Sequence, residues 1–140
     1  MIKVRKTKNL RFILKLNEQI FPSDPLEPNA SSLFWLIYMN DVPVGFASVR
    51  GLTHTPDVAF FDRAGLKPIA QGKGLHKRLI TIRLRYLRRI GYRCAITYCL
   101  DDNFASANNL VACGFKLYEP ENRWADSSQK KEVLYFMKDL

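Results

Sequence analysis

The sequence predicts a mixed α/β fold, a β-sheet with helices packed on it. Three observations carry that expectation. β-rich runs and runs with helical apolar spacing follow one another in the order β-α-β-β-β-α-β-α-β-β. No repeat, low-complexity tract or composition break divides the chain. A length of 140 residues suits one compact unit with a real core and is too short for two. Residues 1–140 are therefore expected to form a single domain.

The elements follow in order. "MIKVRK" alternates as a short opening strand. Leu10, Ile13, Leu14 and Ile20 recur at helical spacing over about residues 8–21. "FPSDPLEPNASS", with three prolines among Ser and Asn, is a loop. "LFWLIYMN", a turn at "DVP" and "VGFASVRG" make the clearest hairpin, with Trp35 packing into the core. "THTPD", which carries His54, is another connection. "VAFFDRAGL" is the next strand; its small Ala64 and Gly65 invite something to lie close against its end, and Pro68 stops it. Leu75, Leu79, Ile82, Tyr86 and Ile90 form one helical stripe, with Lys77, Thr81, Arg85 and Arg88 largely on the other side and Gly91 at the end. "CAITYCL" is a strand, and "DDNFASANNLVAC" a helix opened by Asp/Asn caps and closed by Gly114. "FKLYE" and "EVLYFMKD" are the last strands, separated by the polar loop "PENRWADSSQKK".

Composition narrows the function classes. An apolar fraction of 47% and a charged fraction of 25% are ordinary for a globular chain. No apolar run approaches the ~20 residues of a membrane span. The opening has bases but no apolar stretch of the secretory kind, so a cytoplasmic address is expected. Cys94, Cys99 and Cys113 lack metal-like spacing and read as buried reduced thiols; with only His54 and His76 beside them, no metal site is expected. The net charge of +9 is high for this length and implies an anionic partner: nucleic acid, a membrane surface or a polyphosphate.

The segment "LKPIAQGKGLHKRL" shows where such a partner would sit. A helix N-terminus leaves backbone N–H groups unpaired and carries about half a positive charge. Gly72 and Gly74 remove side chains that would keep a phosphate from those donors, and Lys73 and Lys77 add full charges. The strand–loop–helix is an anion cradle, best suited to a pyrophosphate. It is neither the nucleoside-triphosphate loop, lacking G-x-x-x-x-G-K-[ST], nor a dinucleotide G-x-G-x-x-G, since "GKGLHK" lacks the third glycine.

"GLKPIAQGKGLHKRLI" resembles the acetyl-CoA signature Q/R-x-x-G-x-G/A of the GNAT superfamily of N-acetyltransferases. Gln71, Gly72, Lys73 and Gly74 match, and His76 replaces a small residue, which is tolerable if it points outward. A second block, "NFASANNLVACGF", is similar to the family's N-x-x-[AS]-(x)7-G-F, with Asn103, Ser106, Gly114 and Phe115 in register. The element order agrees with the family over nearly the whole chain. The resemblance implies a mostly antiparallel six- to seven-stranded sheet flanked by helices, splayed between its fourth and fifth strands. It also implies acetyl-CoA as cosubstrate, with the pantetheine arm in the splay.

Residue by residue, the resemblance implies that backbone at Gly65 or Leu66 binds the thioester carbonyl. Gln71, Gly72, Lys73, Gly74, Leu75 and His76, with Lys77 at the edge, would wrap the pyrophosphate. Asn103 and Ser106 would touch pantetheine or hold the cleft wall, and Asn103 also suits a plain helix cap. Relatives place a base on the fourth strand, where Asp62 is the only acid; a pairing with Arg63 or another base is its simpler role. Glu119 is the second choice. The Tyr that protonates the leaving thiolate in many relatives is replaced by Leu110, so Tyr118 or Tyr98 would substitute, or no acid is used. Trp124 could wall the acceptor pocket.

The expected activity is direct acetyl transfer from acetyl-CoA to a primary amine of a small molecule, a peptide or an aminoacyl-tRNA. The acceptor and the oligomeric state have no signature in the chain. A basic nucleic-acid-binding module, suggested by Arg83, Arg85, Arg88 and Arg89, and an acyl-CoA sensor without turnover are the alternatives; neither has a recognisable motif.

Overall fold

A computed structural model describes residues 1–125 and 132–140. Residues 126–131, part of the polar loop before the last strand, lie outside the described residues. The elements are β1 (Ile2–Thr7), α1 (Leu10–Ile20), β2 (Leu33–Met39), β3 (Val42–Leu52), β4 (Thr55–Leu66), α2 (Leu75–Ile90), β5 (Cys94–Leu100), α3 (Phe104–Ala112), β6 (Lys116–Leu117) and β7 (Val133–Asp139), with a 3₁₀ turn at Pro68–Ala70. The strands form one sheet in the order β1-β2-β3-β4-β5-β7-β6. Every neighbouring pair is antiparallel except β4 and β5.

Local chemistry explains the turns. β2 and β3 join through Asn40 and Asp41, both at positive φ (50° and 66°), the left-handed conformation that twists a two-residue hairpin correctly and that Asn and Asp tolerate best. The turn is therefore Asn40–Asp41, sharing only its second residue with "DVP", while Val42 and Pro43 belong to β3. Pro43 lies inside β3, beside a bulge where Ile37 faces Gly45 but Tyr38 faces Pro43, so its missing N–H falls where the ladder is already irregular. β4 is longer than expected: Leu52 pairs with Thr55, and Thr53 and His54 form the connection. The "FKLYE" strand shrinks to Lys116–Leu117.

α1 packs Ile13 and Leu16 with Phe34, Leu36 and Phe46 on one face of the sheet. Asn9 caps it, accepting from the Phe12 N–H at 3.1 Å. α2 and α3 cover the other face, where Trp35, Val49, Phe61, Leu84, Leu110 and Phe136 form the main core. Both long helices are rotated from their sequence-derived stripes. Leu10 and Leu14 are over a third exposed while Leu16 and Asn17 are buried. In α2 the buried row is Leu75, Leu79, Ile80, Arg83, Leu84 and Leu87, and Ile90 is 47% exposed. Arg83 leaves the exposed basic group to which its charge had assigned it.

Two features of β4 prepare the site. Ala47 faces Ala64 and Val49 faces Phe61, so Asp62 and Arg63 together oppose Ser48 alone, a β-bulge. The parallel pairing with β5 consists of Val58–Cys94, Ala59–Ala95 and Phe60–Ile96. β4 then runs on to Leu66 and β5 to Leu100, paired only on their outer sides, and a gap opens between them. The Thr97 hydroxyl, donating to Phe61 O at 3.0 Å, ties the root of the gap.

Candidate active site

The gap is the mouth of a cleft of about 410 Å³. β4 supplies Phe61 to Leu66, the loop and α2 supply Gln71, His76, Ile80 and Arg83, and β5 and α3 supply Thr97, Tyr98, Asn103, Ser106 and Leu110. Of the sequence-derived site residues, Asp62, Gly65, Leu66, Gln71, His76, Asn103 and Ser106 line it together.

Along β4 the ladder decides which amides face the gap. Lys67 N–H donates to Val44 O at 2.7 Å. With Leu66 opposite Gly45 and Gly65 opposite Phe46, the antiparallel alternation turns the Gly65 backbone toward β3 and that of Leu66 toward the gap. The Leu66 carbonyl is taken by Gln71 Nε2 at 3.1 Å, so the Gln71 side chain holds the strand end. Gly65 serves a different need: a Cβ there would collide with Phe21 and Ile20 of the α1 end.

The glycine loop is open. Gly72 and Gly74 have φ of 73° and 74°, and a Cβ at either would meet nothing within 4 Å. Backbone conformation therefore requires glycine here, beyond the lack of a side chain. Gly74 is the N-cap of α2 without a side-chain partner, and the first helical bond runs from Arg78 N–H to Gly74 O at 3.3 Å. The amides of Leu75, His76 and Lys77 are the unpaired donors of that terminus. Lys73 and Lys77 are exposed beside them, and the Leu75 side chain is buried with Leu66, Ala70 and Leu79. His76 does not point outward. It is half-buried, it lines the cleft, and burial together with the Arg83 charge lowers its pKa, keeping the ring neutral.

At the root, the Asp62 side chain is 18% exposed. Burial raises its pKa against the lowering effect of Arg50, Arg63 and Arg83. Its ion pair is with Arg50, Nε to Oδ2 3.9 Å, and not with Arg63. Arg63 turns to the α1–β2 loop: Nη2 meets Asp24 Oδ2 at 2.6 Å, and Nη1 donates to Asn17 Oδ1 at 2.7 Å and Asp24 O at 2.6 Å. Arg83 is 4% exposed, donating from Nε to Leu79 O and from Nη1 to Ser48 O, with Phe61 4.2 Å beneath its plane. Desolvation pulls its pKa down to about 9, and it remains charged at neutral pH. Asn103 caps α3, its Oδ1 accepting from Ser106 N–H at 3.2 Å, so the cap and the cleft wall are one feature.

Tyr118 is not brought to the cleft. Its hydroxyl accepts from Trp124 Nε1 at 3.3 Å and its ring leans on Tyr135. Glu119 is exposed and bound to Arg123 at 2.6 Å. Tyr98 does line the cleft, and Trp124 packs against it. Sequence reasoning missed Arg83, Arg63 and Asn17. A charged residue in phase with an apolar row is the only mark Arg83 leaves, and the Arg63 partners are remote in the chain.

With this geometry in place, the family follows. The model of the acetyltransferase (GNAT) family matches residues 7–115. The chain belongs to the GNAT family of acetyltransferases. No curated protein matches it. Solved GNAT structures share its fold at low identity. The ribosomal-protein-S18-alanine N-acetyltransferase of Escherichia coli superposes with a TM-score of 0.79 at 13% identity, covering 99% of this chain and 94% of that one. An acetyltransferase of Bacillus subtilis in complex with CoA gives 0.80 at 14%, covering 100% and 99%. The IAA acetyltransferase of Bacillus cereus gives 0.77 at 11%, covering both chains fully. This GNAT chain is an enzyme, an acetyltransferase, with the mixed seven-stranded sheet and parallel β4–β5 contact of that fold.

Proposed function

We propose that residues 1–140 form a single cytoplasmic N-acetyltransferase domain that moves an acetyl group from acetyl-CoA to a primary amine by direct attack on the thioester. The observation that carries this reading is the continuity of two features. An open loop with two left-handed glycines at an uncapped helix end adjoins a gap in which β4 presents the Leu66 amide. The first fits a diphosphate and the second fits an extended amide-bearing arm, as required by coenzyme A. Acetyl-CoA supplies the activated acetyl group and a thiolate leaving group.

The chain's own residues divide the work. Amides from Gly72 to Lys77, with Lys73 and Lys77, neutralise the diphosphate. Leu66 N–H donates to the thioester carbonyl oxygen as negative charge develops on it. Asp62, in a partly dry site, accepts a proton from the acceptor ammonium. Tyr98, which lines the cleft, is the tyrosine that would protonate the departing sulfur; with a thiol pKa of about 8.5 the sulfur also leaves unaided.

Calorimetry with acetyl-CoA, followed by free-thiol release against a panel of amines, tests the proposal. Binding with amine-dependent thiol release is expected; no heat with the coenzyme would overturn it. Of the four arginines behind the nucleic-acid alternative, Arg83 is buried under the sheet, whereas Arg85, Arg88 and Arg89 are exposed on α2. No helix among the described residues is long and apolar enough to cross a membrane.

A further inference from the structure

Strand alternation puts Arg50, Phe60, Asp62, Tyr98 and Tyr135 on the sheet face opposite α2 and α3, because their neighbours Val49, Phe61, Cys99 and Phe136 lie in the core beneath those helices. α1 packs on β2, β3 and β4 of this face, and no helix among the described residues covers the β5–β7 end. Trp124 lies there instead. Its ring stands across Phe60 (5.4 Å, 84°), Tyr98 (5.5 Å, 78°) and Tyr135 (5.0 Å, 67°). Phe60 and Tyr135 form the buried base, while Tyr98 and Trp124 are 37% and 38% exposed. Tyr98 also lines the cleft, so this aromatic floor is continuous with the site of Asp62.

Arg50 closes the floor at its other edge. Its guanidinium lies 5.2 Å over the Phe60 ring. Its contact with Asp62, 3.9 Å, is too long for a hydrogen bond, and Arg50 Nε is buried with no hydrogen-bond partner among the described residues. The Arg50 side chain as a whole is 32% exposed, so its charge stays open to an anionic ligand. A carboxylate and a guanidinium side by side match a molecule whose own opposite charges are one carbon apart.

Resting on the acetyl-transfer reading, we infer that the acceptor is an aromatic α-amino acid, with its ammonium at Asp62, its carboxylate at Arg50 and its ring against Tyr98 and Trp124. The α-ammonium gives one proton to the Asp62 carboxylate, the amine so freed forms the C–N bond, the thioester C–S bond breaks with its electron pair on sulfur, and the second nitrogen proton passes to that sulfur. The products are an N-acetyl amino acid and free thiol. A polyamine would bring a second cation toward Arg50 and Arg63, and a small aliphatic amine would leave the exposed rings unused.

Two independent readouts test this. L-Phenylalanine does not absorb where tryptophan is selectively excited, so its binding without coenzyme is read from the fluorescence of Trp124, with Trp35 buried in the core as the constant background. Phenylalanine should bind at least about tenfold more tightly than phenethylamine, which lacks the carboxylate, and Arg50→Gln should erase that difference. In thiol release with acetyl-CoA, phenylalanine and tryptophan should exceed spermine and alanine. Equal binding of phenylalanine and phenethylamine, or preference for spermine, would overturn the inference, and needs no variant to show it. Acetyl-CoA binding without any aromatic acceptor sinks this inference alone. Phenylalanine binding without acetyl-CoA binding supports the floor and sinks the acetyl-transfer reading instead.

Discussion

Arg83 donates from Nη1 to the main-chain carbonyl of Ser48 at 3.1 Å. Ser48 is the single residue opposite the Asp62–Arg63 bulge, and its hydroxyl accepts from Arg63 N–H at 3.2 Å. A cation from the helix thus satisfies a carbonyl that the widened ladder leaves without its regular partner, while Asp62 lies within its field. The bulge that bends β4 away from β5 is held open from below.

Removing that cation has two consequences. Arg83→Met should lower stability by about 1–3 kcal/mol, since it leaves a buried carbonyl unpaired. Because Arg83 lowers the Asp62 pKa, the variant should also raise that pKa further. Urea unfolding checks the first effect and carboxylate titration by NMR the second; an unchanged Asp62 titration would show that the two do not communicate.

The Arg63 clamp predicts an asymmetry between its partners. Arg63→Ala leaves the Asn17 side-chain oxygen, in a residue 3% exposed, without its donor and should cost about 1–3 kcal/mol. Asp24→Ala removes a side chain 67% exposed and should cost under about 1 kcal/mol. Both should speed proteolysis within residues 21–32, which the clamp ties to β4.

At Gly72 conformation and ligand access can be separated. Gly72→Val meets no steric obstacle but must hold φ near 73°, a strain of about 1–2 kcal/mol for a side chain of that kind. Gly72→Asn tolerates that backbone better and should keep most of the stability. On the proposed function, both should weaken acetyl-CoA binding, Val more strongly. Thermal unfolding with and without the coenzyme distinguishes the two effects.

His76 predicts a pH dependence. Its folded pKa is depressed, so the unfolded chain takes up a proton first as pH falls below 6.5. The stabilisation present above 6.5 is lost progressively down to the folded pKa and then levels off. His76→Leu should remove that component, so the variant and the wild type should converge or cross as the pH falls below 6.5. Parallel stability curves across this window would refute the assignment.

The parts of the fold that were legible obey short-range rules. Asn9 and Asn103 sit at helix starts, Gly91 and Gly114 at helix ends, and the Gly72–Gly74 loop precedes a helix, each with a local steric or hydrogen-bonding cause. The rotation of α2 was not legible, because Arg83 occupies a core position that apolar spacing skips and only the β3–β4 bulge explains it. Asp62 is legible as the sole acid of "VAFFDRAGL", although the longer β4 of the structure also carries Asp57 near its start. The Asp62 partner Arg50 is not, since cross-strand register depends on two bulges that carry no local signature. Tyr118 lies one residue past a β6 strand too short to carry it into the cleft; its partners are Trp124 and Tyr135.

The parallel contact between β4 and β5 is three residues long on each strand. It joins a four-stranded half, β1 to β4, to a three-stranded half, β5, β7 and β6. Swivelling about so short a seam alters the separation of the halves while leaving the antiparallel ladders inside each intact. Slow breathing of this molecule should therefore concentrate in one hinge-like coordinate, with the amides of residues 58–60 and 94–96 exchanging hydrogen sooner than those deep in either half.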